Sequence, residues 1–196
     1  MSTLAHFTLQ DYDRLIALGA FEPKERWRCE LIQGEIRDMS PIGPLHEFVL
    51  GRLARWSFAS AGSLPISVRL QCSIELPERD CALEPDLAWA RGPDDRYAQR
   101  RPDAGDVLLL IEIADSSLSY DTGEKANLYA EAGIADYWVV NIPDRCIEIR
   151  REAEGGRYRS LRTVRGDEAA TPLCAADAPI RPNDLFPREP SEADSR

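Results

Sequence analysis

The chain has 196 residues, 43% of them hydrophobic and 30% charged, with a net charge of −10 at pH 7. That length suits one domain with a substantial core, and the composition excludes disordered and fibrous classes. No apolar run approaches the roughly 20 residues needed to cross a bilayer, and the acidic balance argues against a general nucleic-acid binder while leaving open an enzyme whose acidic site is screened by cations.

Thr8 is a natural N-cap for a first helix carrying Leu9, Tyr12, Leu15 and Ile16 on one face, and Gly19 ends it. Cys29–Ile32 and Glu35–Met39 flank Gln33-Gly34, which predicts a β-hairpin. Pro41 to Pro44 breaks the chain, and a helix follows from about His46 to Ala61 with Val49, Leu50, Leu53 and Trp56 as its apolar stripe. Ile66–Leu70 and Ser73–Leu76 alternate like half-exposed strand. Pro77 to Asp80 turns the chain into a strand expected to hold Glu84-Pro85-Asp86, and Arg91 to Asp106 reads as a polar loop. After the apolar strand of Val107–Ala114 come a turn at Asp115–Ser117 and a helix from about Tyr120 to Ala132, stopped by Gly133. Tyr137–Val140 is a further buried strand, and Cys146–Ile149 with Tyr158–Leu161 forms a hairpin. We expect one domain over residues 1–186 and a frayed polar tail over 187–196. The element order suggests an α/β or α+β fold with a mixed sheet.

The five cysteines are scattered, odd in number and free of C-x-x-C spacing, so they read as reduced thiols in a cytoplasmic protein. The first residues lack the basic-then-apolar pattern of a signal peptide.

Glu112 stands where the hydrophobic pattern has no place for it, between Val107–Ile111 and Ile113-Ala114. An unpaired charge in a doubly buried strand costs several kcal/mol, so Glu112 requires a cation, a hydrogen-bond network or a proton. Asp86 lies on the preceding long strand, and strands about 4.8 Å apart would let two carboxylates share one divalent ion. Oxygen donors suit Mg²⁺ or Mn²⁺ better than zinc. Asp121, Lys125 and Tyr129 are four residues apart and share a helix face, from which Lys125 could reach an activated water. Each residue also has a plainer reading. Glu112 alone could be a solvated strand end, Asp86 a turn residue, and Lys125 the partner of Asp121 in a pair contributing about 0.3–0.5 kcal/mol. His46 could be a core histidine, Glu30 an exposed partner of Arg28, and Tyr129 a packing residue with a hydroxyl handle. Arg91, Arg96, Arg100 and Arg101 could touch phosphates but read better as a solvated loop.

Taken in order, Tyr12, Glu30-Leu31-Ile32-Gln33-Gly34-Glu35, Met39-Ser40-Pro41 with His46, Pro85-Asp86, Glu112–Ser119 with Asp121, Lys125 and Tyr129, and Tyr137–Val140 resemble the Uma2 family of restriction-endonuclease-like domains, within the PD-(D/E)XK nuclease superfamily. The resemblance spans roughly residues 7 to 186. It implies a restriction-endonuclease-like core, a mixed central sheet flanked by helices. It also implies metal ligation by Asp86, Glu112 and the backbone carbonyl of Ile113, with Lys125 orienting the attacking water. His46 falls at a family histidine position and joins Glu30 and Asp121 as a secondary candidate. One departure stands out: the superfamily's E-x-K lysine would occupy position 114, which is Ala114, whereas Lys125 fits the Uma2 position on the helix.

The expected function is Mg²⁺- or Mn²⁺-dependent hydrolysis of DNA phosphodiesters. The alternatives are a non-catalytic interaction or nucleic-acid-binding scaffold on the same fold, and a hydrolase of RNA or small phosphodiesters. A homodimer would match duplex symmetry; no membrane partner is expected.

Overall fold

A computed structural model describes residues 5–22, 28–62 and 64–188. Helix α1 (Leu9–Ala17) opens on a capping box in which Thr8 and Asp11 each bond the other's backbone. Strands β1 (Cys29–Ile32) and β2 (Glu35–Asp38) form the predicted hairpin, with Gln33 and Gly34 both at positive φ (50° and 80°), the backbone of a type I′ turn. Helix α2 (Pro44–Ala61) starts two residues earlier than expected because proline is readily accepted at the first helical position.

Two sheets follow. The larger has six strands in the order β10-β9-β8-β7-β6-β3, and only β7 (Val107–Ala114) and β8 (Asp136–Asn141) run parallel. Its remaining members are β3 (Ile66–Leu70), β6 (Leu87–Arg91), β9 (Cys146–Glu154) and β10 (Arg157–Arg165). The smaller, ordered β2-β1-β5-β4, adds β4 (Ile74–Leu76) and β5 (Cys81–Leu83). The expected mixed sheet and flanking helices are therefore present, with a second sheet in addition. The stretch from Ile66 to Leu76 is divided between the two sheets, and the crossing is made at Gln71, whose φ is 47°. The acidic strand is corrected as well: Glu84, Pro85 and Asp86 lie in the link between β5 and β6, outside both.

Successive side chains of β7 face opposite cores. Leu109, Ile111 and Ile113 join a cluster with Val49 and Leu53 of α2, where Trp56 stacks on Trp89 at 5.0 Å. Leu110 and Ala114 join a second cluster with the inner face of the small sheet and the helix after β7. α1 covers the outer face of the small sheet through Tyr12. The helix after β7 is not uniform: α3 (Leu118–Tyr120), a π-helical turn (Asp121–Lys125) and α4 (Ala126–Glu131) run on without a break. A short α5 (Pro182–Leu185) packs near α2. The expected tail falls largely outside the described residues. Among those described, no helix is long and apolar enough to cross a membrane.

Candidate active site

The antiparallel pairing of β6 with β7 ends at Leu87↔Ile111, while β7 continues beside β8 as far as Ala114. Beyond Ile111, the β6 side of β7 is open, and the link residue Asp86 fills it. The Ile113 N–H donates to Asp86 Oδ2 (2.8 Å), and the Asp86 N–H faces Glu112 Oε2 (3.3 Å). Ala114 turns its carbonyl towards β8, where it accepts from the Ile142 N–H (2.9 Å), so alternation turns the Ile113 carbonyl towards the open side with Asp86.

Glu112 points into the second core and is 3% exposed. Lys125 Nζ (3.0 Å) and the Tyr129 hydroxyl (2.8 Å) both donate to its Oε1. Lys125 also pairs with Glu30 Oε1 (3.1 Å), which β1 extends from the small sheet. Glu30 in turn accepts from the Glu84 N–H (2.8 Å), and Glu84 pairs with Arg28. Burial pushes the Glu112 carboxyl up to about 8, an effect that Lys125 opposes and that Asp121, Asp86 and Glu30 reinforce. Burial works to lower the Lys125 ammonium, but Glu112, Glu30 and Asp121 outweigh it and hold that group protonated above its ordinary range. Asp121 is raised by burial, against the pull of Lys125 and of the Ser117 hydroxyl that donates to it.

On the other wall, His46 Nε2 lies 3.1 Å from Asp86 Oδ2, and Gln71 Nε2 donates to Asp86 Oδ1 (3.3 Å). α2 begins here with Gly43 at its N-cap and no side-chain cap, so the unpaired N–H groups of its first turn end at this wall. Glu30, His46, Glu84, Asp86, Glu112, Asp121 and Lys125 border one cavity of about 270 Å³, while Tyr129 and Gln71 support Glu112 and Asp86 from outside its lining.

The structure therefore gathers every predicted site residue. Tyr129 is a hydrogen-bond donor to Glu112 as well as a packing residue. Gln71 and Glu84 were not anticipated; Glu84 directly precedes Pro85-Asp86 and was the more visible of the two. The loop arginines sit elsewhere: Arg96 and Arg100 pair with Asp106, and Arg101 with Asp13.

The donor set can be tested against a divalent ion. Among the described residues no three His, Cys, Asp or Glu side chains form a ready metal cluster. Two carboxylates and one free-facing carbonyl offer three hard oxygen donors. Mg²⁺ accepts such a partial set because it keeps waters and takes phosphate oxygens for the rest of its shell. The residues fit that kind of ion, and they do not fit a closed zinc site.

The fold is similar to the crystal structure of a putative nuclease belonging to DUF820 from Anabaena variabilis ATCC 29413, with a TM-score of 0.70 at 15% identity, covering 92% of this chain and 97% of that one. No curated protein matches the sequence. The family model described as "Putative restriction endonuclease" matches residues 9–178, most of the length, and the chain belongs to this Uma2 family.

Proposed function

We propose that the protein is a divalent-metal-dependent endonuclease that hydrolyses phosphodiester bonds in DNA. One observation carries the reading: Asp86, Glu112 and Lys125, far apart in sequence, converge in a single cavity at the open end of the β6–β7 pairing. Membership of a family of nuclease character supports it.

Asp86, Glu112 and the Ile113 carbonyl would hold Mg²⁺ or Mn²⁺. When bound, such an ion lowers the pKa of a coordinated water and offsets charge on the phosphate. His46 and Gln71 grip the two Asp86 oxygens and fix the rotamer of that carboxylate. Tyr129 does the same for Glu112. Lys125 stays an ammonium, so it supplies a fixed positive charge to the phosphate and is not the base.

Incubation of the protein with single-stranded, duplex and branched DNA under EDTA, Mg²⁺ or Mn²⁺, beside Glu112→Gln, tests this. Metal-dependent cutting that the variant loses is expected. Cutting by Glu112→Gln at the wild-type rate would falsify the assignment. Absence of both cutting and Mn²⁺ binding would favour the non-catalytic scaffold.

A further inference from the structure

The outward face of α2 combines exposed aromatic and basic side chains. Leu45, Phe48, Arg52, Arg55 and Phe58 follow one another at steps of three or four residues and so form one stripe along the helix. All five are exposed, Phe58 by 57%. Arg52 lies over the Phe48 ring at 5.2 Å. Among the described residues neither Arg52 nor Arg55 forms an ion pair with a carboxylate, a state they share with Arg69, Arg91, Arg157 and Arg162 on other elements. Glu47, in the first turn, is the helix's one acid. The stripe begins at Leu45, in the first turn of α2, the end of the helix whose Gly43 and His46 line the cavity.

We infer that this face is the track on which a single-stranded stretch of nucleic acid lies as it leaves the cavity, an inference that rests on the nuclease reading above. Unpaired strands are held by cations that follow phosphates and aromatic rings that stack on bases. Both are present here, on a helix face whose helix carries a single acid, Glu47. Phe48 and Phe58 are ten residues apart, about 15 Å along the axis, a distance of about four to five base steps at about 3.4 Å each. A duplex would leave the rings without base faces to meet. A second copy of the chain fits less well, because a two-fold contact centred on this face would set arginines against arginines.

Fluorescence anisotropy of a labelled 15-nucleotide oligothymidylate, in EDTA to prevent cutting, tests the track. Alanine is a good helix former at these exposed positions, so the variants should fold, which circular dichroism checks. The double variant Arg52→Ala/Arg55→Ala should bind at least tenfold more weakly, with the slope of log K against log salt reduced by about 1.4. Phe48→Ala and Phe58→Ala should each lose about 5- to 150-fold on the single strand and much less on a duplex. Unchanged binding by all these variants, with the wild type binding and cutting normally, overturns the track and leaves the nuclease reading standing. A wild-type dimer that Phe48→Ala/Phe58→Ala turns into a monomer without loss of DNA binding overturns it in favour of self-association. A wild type that neither binds nor cuts any DNA with Mg²⁺ or Mn²⁺ overturns both.

Discussion

Lys125→Met keeps the length of the side chain and removes its charge. The ammonium it deletes is 4% exposed and sits 3.0 Å from Glu112 and 3.1 Å from Glu30. Removing one partner of a buried pair costs about 3–5 kcal/mol. Glu112 escapes part of that cost by keeping a proton, since its carboxyl already lies at about 8. A carboxyl whose folded value is raised contributes stability below its unfolded value near 4.5, and that contribution is lost as pH rises towards the folded value. In the wild type the loss runs from about 4.5 to about 8; without Lys125 it continues further. The variant's deficit should therefore be flat below pH 8 and then widen by about 1.4 kcal/mol per pH unit, reaching about 2 kcal/mol of extra loss by pH 9.5. For a chain of this size each kcal/mol corresponds to about 2–4 °C in Tm. Thermal unfolding of both proteins at pH 7 and 9.5 reads the difference. A deficit under 1 kcal/mol, or one that does not change with pH, refutes the view of Lys125 as a cation locked between two buried carboxylates.

The same raised carboxyl sets the pH dependence of Mn²⁺ binding: affinity should rise about tenfold per pH unit up to about 8 and level off above it, with one proton released, as a titration between pH 6 and 9 would record. Asp136→Asn should lose about 3 kcal/mol in a denaturant melt. Asp136 is fully buried and accepts from Arg151 (2.7 Å), Trp138 Nε1 (2.8 Å) and the Leu173 N–H (2.8 Å), tying the C-terminal segment to β8 and β9. Gly34→Ala should lower Tm by roughly 2–8 °C. Its φ of +80° is costly for an L residue, and the new Cβ would meet His6 Nδ1 at 2.9 Å and the Phe7 carbonyl oxygen at 3.2 Å.

Much of this architecture was legible because local rules agreed with the tertiary ones. Thr8 with Asp11, Gln33-Gly34 and Gly133 mark element ends through caps and turns that act within a few residues. Glu112 announced itself as a charge inside an apolar run, and its partner was found at the spacing a helix face predicts. The failures have tertiary causes. β5 is three buried residues between a turn and Glu84, too short to carry a period. Asp86 read as strand because apolar residues follow it, yet its place just before β6 is what frees its carboxylate to cap the Ile113 N–H. Gln71 carries no pattern at all: its role comes from standing where the chain passes between sheets, against Asp86. The π turn at Asp121–Lys125 likewise has no local mark, since a sequence period of four fits α-helix as readily.

That π turn and Ala114 belong to one arrangement. Residue 114 shares a strand face with Glu112, the position from which an E-x-K lysine would reach the same carboxylate. Here Ala114 is fully buried in the cluster it shares with Ala126 and Tyr129 of the helix. A long side chain at 114 would push that helix away, and with it the Tyr129 hydroxyl. The small residue leaves room for that cluster, and the wider π turn brings Asp121 and Lys125 to the cavity wall together. The Tyr137 hydroxyl secures the turn by donating to the Asp121 carbonyl at 2.8 Å. The cation therefore reaches Glu112 from the helix, at 3.0 Å. Position 114 is consequently constrained by packing and position 125 by charge, and exchanging the two residues would satisfy neither.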